Sequence, residues 1–105
     1  MRRRELMPPD GSAALIRCRR ADACEARRGD DGLTVGRSTD CAWQVDDMQL
    51  SRQRFRIRNE SGQWALDDCG SKNGTFVNGR RVRLRVLADG DLIEAGASAF
   101  VYVSG

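Results

Sequence analysis

"SRQRFRIRNESGQWALDD", Ser51–Asp68, decides the fold class. In its first half charged and hydrophobic residues alternate. A period of two places Phe55 and Ile57 on one face and Arg52, Arg54, Arg56 and Arg58 on the other. The second half repeats the scheme with Trp64 and Leu66 as inward residues. Between them "NESG" supplies turn chemistry. Two such runs joined by a short polar turn read as an antiparallel hairpin with one buried face.

The same pattern recurs outward in both directions: "ALIRC" (14–18), "LTVGR" (33–37), "AWQV" (42–45), "TFVN" (75–78), "RVRLRVL" (81–87), "DLIEAG" (91–96) and "SAFVYVS" (98–104). The connections are rich in Asp, Gly, Asn and Ser. Short strands at this spacing predict an all-β antiparallel sandwich or barrel. The longest helix-like stretch, "RRADACEARRGDD", is broken and weakly periodic. The expected core is Leu15, Val35, Val45, Phe55, Ile57, Trp64, Leu66, Phe76, Leu92 and Phe100.

A chain of 105 residues, 40% of them hydrophobic, is one domain's worth of protein. No run approaches the roughly 20 apolar residues of a membrane span. The start, "MRRRELMPPDG", is basic but lacks the apolar stretch of a secretory signal. Residues 1–12 therefore read as a flexible basic arm and 13–105 as the folded domain, in a cytoplasmic setting. Seventeen of the eighteen basic residues are arginine, which suits phosphate or carboxylate partners and equally reflects genome composition. There is no histidine, and Cys18, Cys24, Cys41 and Cys69 show no C-x-x-C spacing, which argues against structural zinc. The cysteines read as small buried hydrophobes, with a disulfide between two of them left open. No cofactor is expected.

The loops carry the functional signal. "GRSTDCAWQVDDMQLSRQRFRI", then "WALDDCGSKNGTFVNGRRV", then "LADGDLIEAG" resembles the forkhead-associated (FHA) domain family from about Leu15 to Val103. Gly-Arg, a serine fourteen residues later, Ser-Lys-Asn-Gly-Thr and a second Asn-Gly occur in the family's order. The resemblance implies a β-sandwich of about eleven short strands whose loops at one end bind phosphothreonine peptides. The partner it implies is a phosphothreonine-containing protein, a Ser/Thr kinase or its substrate. A phosphothreonine carries about −1.5 to −2 charge and three acceptor oxygens.

Carried over residue by residue, Arg37 would offer a guanidinium fork, Ser51 its hydroxyl, Arg52 its backbone N–H and Lys72 a point charge. Asn73 would hydrogen-bond the peptide main chain. Asn73-Gly74 also reads as a turn, and Asn78-Gly79 as a hairpin turn alone. Gln49, Arg80 and Arg81 lie on loops within reach of residues flanking the phosphate. One position departs from the pattern: Arg54 stands where the family usually has a buried histidine strut. A permanently charged arginine there needs a partner, such as Asp40, Asp46, Asp47 or the phosphate itself, or the site has lost its strut.

Other readings weigh less. Stripes of Arg52, Arg54, Arg56 and Arg58 and of Arg81, Arg83 and Arg85 could face nucleic acid. The charge is only +3, however, and no aromatic platform is interleaved with the arginines. A phosphate-independent protein scaffold is the remaining alternative. An enzyme is disfavoured, because there is no His base, no G-x-S-x-G elbow and no P-loop spacing.

Overall fold

The computed structural model describes residues 12–20, 23–29 and 32–104. The arm expected over residues 1–12 lies outside that range except for Ser12. Eleven strands follow in chain order: β1 (Ala13–Arg20), β2 (Ala23–Arg28), β3 (Gly32–Gly36), β4 (Trp43–Gln44), β5 (Phe55–Glu60), β6 (Gln63–Asp68), β7 (Thr75–Val77), β8 (Arg80–Val82), β9 (Leu84–Val86), β10 (Leu92–Ala95) and β11 (Ser98–Ser104). They form two sheets, ordered β2-β1-β11-β10-β7-β8 and β4-β3-β5-β6-β9. Every pairing is antiparallel except the short parallel contact of β3 with β4. The all-β sandwich is as expected.

The core lies between the sheets. Phe100 of the six-stranded sheet meets Trp43 and Phe55 edge to face, with ring centroids 5.3 and 5.6 Å apart. Leu15, Val35, Ile57, Leu66 and Ile93 are fully buried around them. Each such side chain removed from water contributes about 1.5–3 kcal/mol. On the far face of the six-stranded sheet, Ala14, Ile16 and Val103 form a second small cluster. Arg27 of β2 stacks on the Trp43 ring at 5.1 Å and bridges the sheet edges on that side.

Two hairpins use the turns that the sequence marks. Ser61-Gly62 between β5 and β6, and Asn78-Gly79 between β7 and β8, have positive φ at both residues. That matches the right-handed twist of the paired strands. Asn78 does more than turn. Its Nδ2 donates to Asp91 Oδ1 at 2.9 Å, and its Oδ1 accepts from the Leu92 N–H at 3.0 Å.

Several expectations need correction. Residues 23–28, inside the helix-like stretch, form strand β2, because β1 supplies a ladder that local propensity does not show. "RVRLRVL" is two strands in different sheets, with the chain crossing between them at Arg83. Arg81, Arg83 and Arg85 therefore share no single strand face. Phe76 is only half-buried and Leu92 is exposed; Val77 and Ile93 fill the core instead. Cys41 is a buried free thiol, Cys69 is an exposed one, and Cys24 is disulfide-bonded, with Cys18 opposite it in the β1–β2 register. Arg54 does not join an outward stripe: it precedes β5 and is 1% exposed.

Candidate functional site

Three connections gather at one end of the sandwich: β3–β4, β4–β5 and β6–β7. The first begins at Gly36, where a Cβ would strike the Arg52 carbonyl oxygen. Only glycine allows this crossing of two backbones. It is fixed by the Arg37 N–H donating to the Ser51 carbonyl at 3.1 Å and the Ser38 N–H donating to the Arg52 carbonyl at 2.9 Å. The buried Cys41 thiol donates to the same Arg52 oxygen at 3.2 Å. Position 37 is thereby placed beside position 51, and the Arg37 and Arg52 side chains are exposed there.

The β4–β5 connection is held by Asp47, whose Oδ1 accepts from the Gln49 N–H at 2.8 Å. Its Oδ2 accepts from the Ala97 N–H at 3.0 Å and the Ser98 hydroxyl at 2.7 Å, reaching the β10–β11 turn. Burial pushes this carboxyl up, but the bonds from Ser98, Gln49 and Ala97, with the Arg17 charge, hold it below its ordinary range.

Asp68 does the same for the β6–β7 connection. Its Oδ1 accepts from the hydroxyls of Ser71 at 2.6 Å and Thr75 at 2.7 Å, and its Oδ2 from the Ser71 N–H at 3.0 Å. Burial again acts upward, and these bonds outweigh it, so the Asp68 carboxyl also titrates below its ordinary range. Gly74 has φ +85°, and the Arg81 side chain packs where a Cβ would sit. Arg81 also donates to the Lys72 carbonyl at 3.4 Å. Lys72 and Asn73 ride exposed on this braced loop. The Cys69 N–H donates to the Arg54 carbonyl at 2.9 Å, which joins the loop to the start of β5.

Arg54 sits beneath all three connections. Its Nη1 donates to Ser51 Oγ at 3.2 Å and more weakly to the Gln49 carbonyl at 3.5 Å. Burial pushes the guanidinium down, while the Asp68 and Asp47 carboxylates pull it back up. Of the partners weighed from sequence, Asp47 is present in this field. Asp40 and Asp46 are replaced by Asp68, which sequence reading missed. Its signal was the Asp-x-x-Ser spacing that opens many tight turns.

The structure thus sets Arg37, Ser51 and Arg52 side by side. Asn73 lines a separate cavity of about 430 Å³ with Arg54, Gln49 and Glu94, and Arg54, bonded to Ser51, is its link to them. Ser51 and Arg52 line a second cavity of about 510 Å³ with Ser38, Asp40 and Cys69. The Lys72 ammonium makes no ion pair among the described residues; only its carbonyl is engaged. Arg56 and Arg58, read as part of a basic stripe, pair with Asp67 and Glu60 on the outer sheet face. Among the described residues no group of three Cys, Asp or Glu is placed to hold a metal, and no helix is long and apolar enough to cross a membrane.

Comparison with known proteins identifies the family and the fold. The chain is 37% identical over 98 residues to the glycogen accumulation regulator GarA of Mycolicibacterium smegmatis, covering 92% of this chain and 62% of that protein. It is 35% identical to an oxoglutarate dehydrogenase inhibitor of Corynebacterium jeikeium, over 92% of this chain and 68% of the relative. The chain thus spans about three fifths to two thirds of these curated relatives. Among solved structures, one from a study of phosphothreonine-dependent FHA domain interactions superposes with a TM-score of 0.79 at 30% identity, covering 90% of this chain and 97% of that one. The FhaA FHA domain, solved in complex with an intracellular domain of another protein, gives 0.76 at 31% identity, over 87% and 99%. A family model described as "FHA domain" matches residues 33–96, and the chain belongs to the FHA domain family.

Proposed function

We propose that this chain is a phosphopeptide-binding module that docks a phosphothreonine-containing segment of a partner protein at the β3–β4, β4–β5 and β6–β7 loops. The observation that supports it most is the backbone bond from the Arg37 N–H to the Ser51 carbonyl, which brings positions 37 and 51 together at one end of the sandwich. A phosphate dianion takes the Arg37 fork, the Ser51 hydroxyl and the Arg52 N–H. Asn73 bonds the peptide main chain, and Lys72 adds a screened charge from the rim.

The partner is a substrate of a Ser/Thr kinase, or the kinase itself, in the cytoplasm. Two relatives are named for controlling other processes, one as a regulator and one as an inhibitor. This chain likewise acts by binding and performs no chemistry of its own.

Calorimetric titration with a phosphothreonine peptide and its unphosphorylated twin tests the reading. Wild type binds the phosphopeptide with a Kd of about 1 μM, near −8 kcal/mol. Arg37→Ala loses about a hundredfold, the worth of one or two charged hydrogen bonds. Equal heats from the two peptides, or a partner held equally well by Arg37→Ala, would point to a phosphate-independent scaffold instead.

A further inference from the structure

Arg54 is the largest fully buried side chain among the described residues, yet it makes no contact ion pair with any of them. Its Nε has no hydrogen-bond partner, and Asp68 and Asp47 act on it through the field without a contact ion pair. A buried cation in this state is costly unless something compensates. Among the described residues, the one side-chain oxygen it reaches is Ser51 Oγ, at 3.2 Å.

We infer that Arg54 is a positioning cation for the bound phosphate, acting through Ser51; this rests on the phosphopeptide reading of the site. A serine hydroxyl has two lone pairs and one proton. Donation from Nη1 occupies a lone pair on the inner side, which leaves the Ser51 proton free to be donated outward to a phosphate oxygen. The same guanidinium places a permanent positive charge behind that hydroxyl, in surroundings where water does not screen it. With the site empty, the acidic groups facing Arg54 are Asp47 from the β4–β5 loop, Asp68 at the end of β6 and Glu94 of β10 across the shared cavity. When the site is filled, the dianion adds a counter-charge on the Ser51 side, where none of these three carboxylates makes contact. A neutral ring at position 54 could brace the loops but could not do this.

The test uses the intact chain, with Arg54→His and Arg54→Lys each made alone and together with Ser51→Ala. Each variant is titrated with the phosphothreonine peptide and its unphosphorylated twin at about pH 5.5 and about pH 8, bracketing the imidazole range. Thermal unfolding serves as a control on folding. Arg54→Lys keeps the charge and stays within about threefold of wild type. Arg54→His binds about tenfold more weakly than wild type at the higher pH, where imidazole is neutral, and recovers at the lower pH. Ser51→Ala costs less in the Arg54→His background at the higher pH than in wild type, because the two side chains act as one unit.

A purely structural role would instead give equal losses for Lys and His at both pH values, with additive effects of Ser51→Ala. That result overturns the inference, as would wild-type affinity for both variants throughout. If wild type itself fails to distinguish the two peptides, the phosphopeptide reading falls and this inference falls with it.

Discussion

One methyl group at position 36 would displace the segment that carries Ser51, because the Arg52 carbonyl already occupies the space a Cβ needs. The obstacle is backbone, so no side chain can swing aside. Gly36→Ala is expected to lower stability by about 3 kcal/mol and to weaken phosphopeptide binding with it. Urea denaturation and titration of the same sample check both. Asp68 supports a different kind of expectation. Its carboxyl titrates below its ordinary value of 3.8 in the folded protein. The unfolded state therefore binds its proton first as pH falls, so the stabilisation is complete above the unfolded value and is lost as pH drops through the folded one. Unfolding midpoints followed from about pH 6 to about pH 2 should fall, partly through Asp68 and partly through Asp47. Asp68→Asn should flatten that slope and cost about 2 kcal/mol at neutral pH, since the Ser71 and Thr75 hydroxyls lose a charged acceptor.

Elements were legible where one face alone is buried. In β5 and β6 the predicted inward residues Phe55, Ile57, Trp64 and Leu66 are all buried, though β5 runs on through Asn59 and Glu60, read from sequence as turn, and Ala65 is buried as well. The misreadings have local causes. "RVRLRVL" alternates without a break, yet the chain changes sheets inside it, and periodicity carries no information about which sheet a residue joins. In "TFV" the phase is set by Thr75, which must face inward to reach Asp68; Val77 follows it and Phe76 is turned outward. In "LIEA" two adjacent aliphatics leave the phase open, and pairing of Ile93 with Val77 decides it. At the β7–β8 turn, Asn78 combines φ +52° with two side-chain hydrogen bonds to the loop before β10. Asn78→Ala should cost about 2 kcal/mol in thermal or chemical unfolding. Asn78→Gly should recover the backbone part only, leaving the loss of the Asp91 contact.

At the scale of the whole molecule, the motif order pointed to the rim of the proposed site, namely Arg37, Ser51, Arg52, Lys72 and Asn73, and to Arg54 behind it, while most of what braces it stayed hidden. The bonds that Asp47 takes from Ala97 and Ser98, and the one that Asp68 takes from Thr75, join residues from separate strands, and no local pattern announces those pairings. The same assembly makes a further expectation possible. β1 lies against β11, with Ala13 opposite Ser104, so the first and last described strands are neighbours. A circular permutant that joins them with a short flexible linker and opens the chain at Asp89-Gly90 should fold, with stability within a few kcal/mol of the parent. Denaturation by urea and an unchanged phosphopeptide Kd would show it.

Ser12 and Ser104 border one cavity together with Gly62 and Gln63, at the tip of the β5–β6 hairpin. The recognition loops stand at the opposite ends of those same two strands. Within a longer polypeptide, both leads would leave from the pole turned away from the cargo.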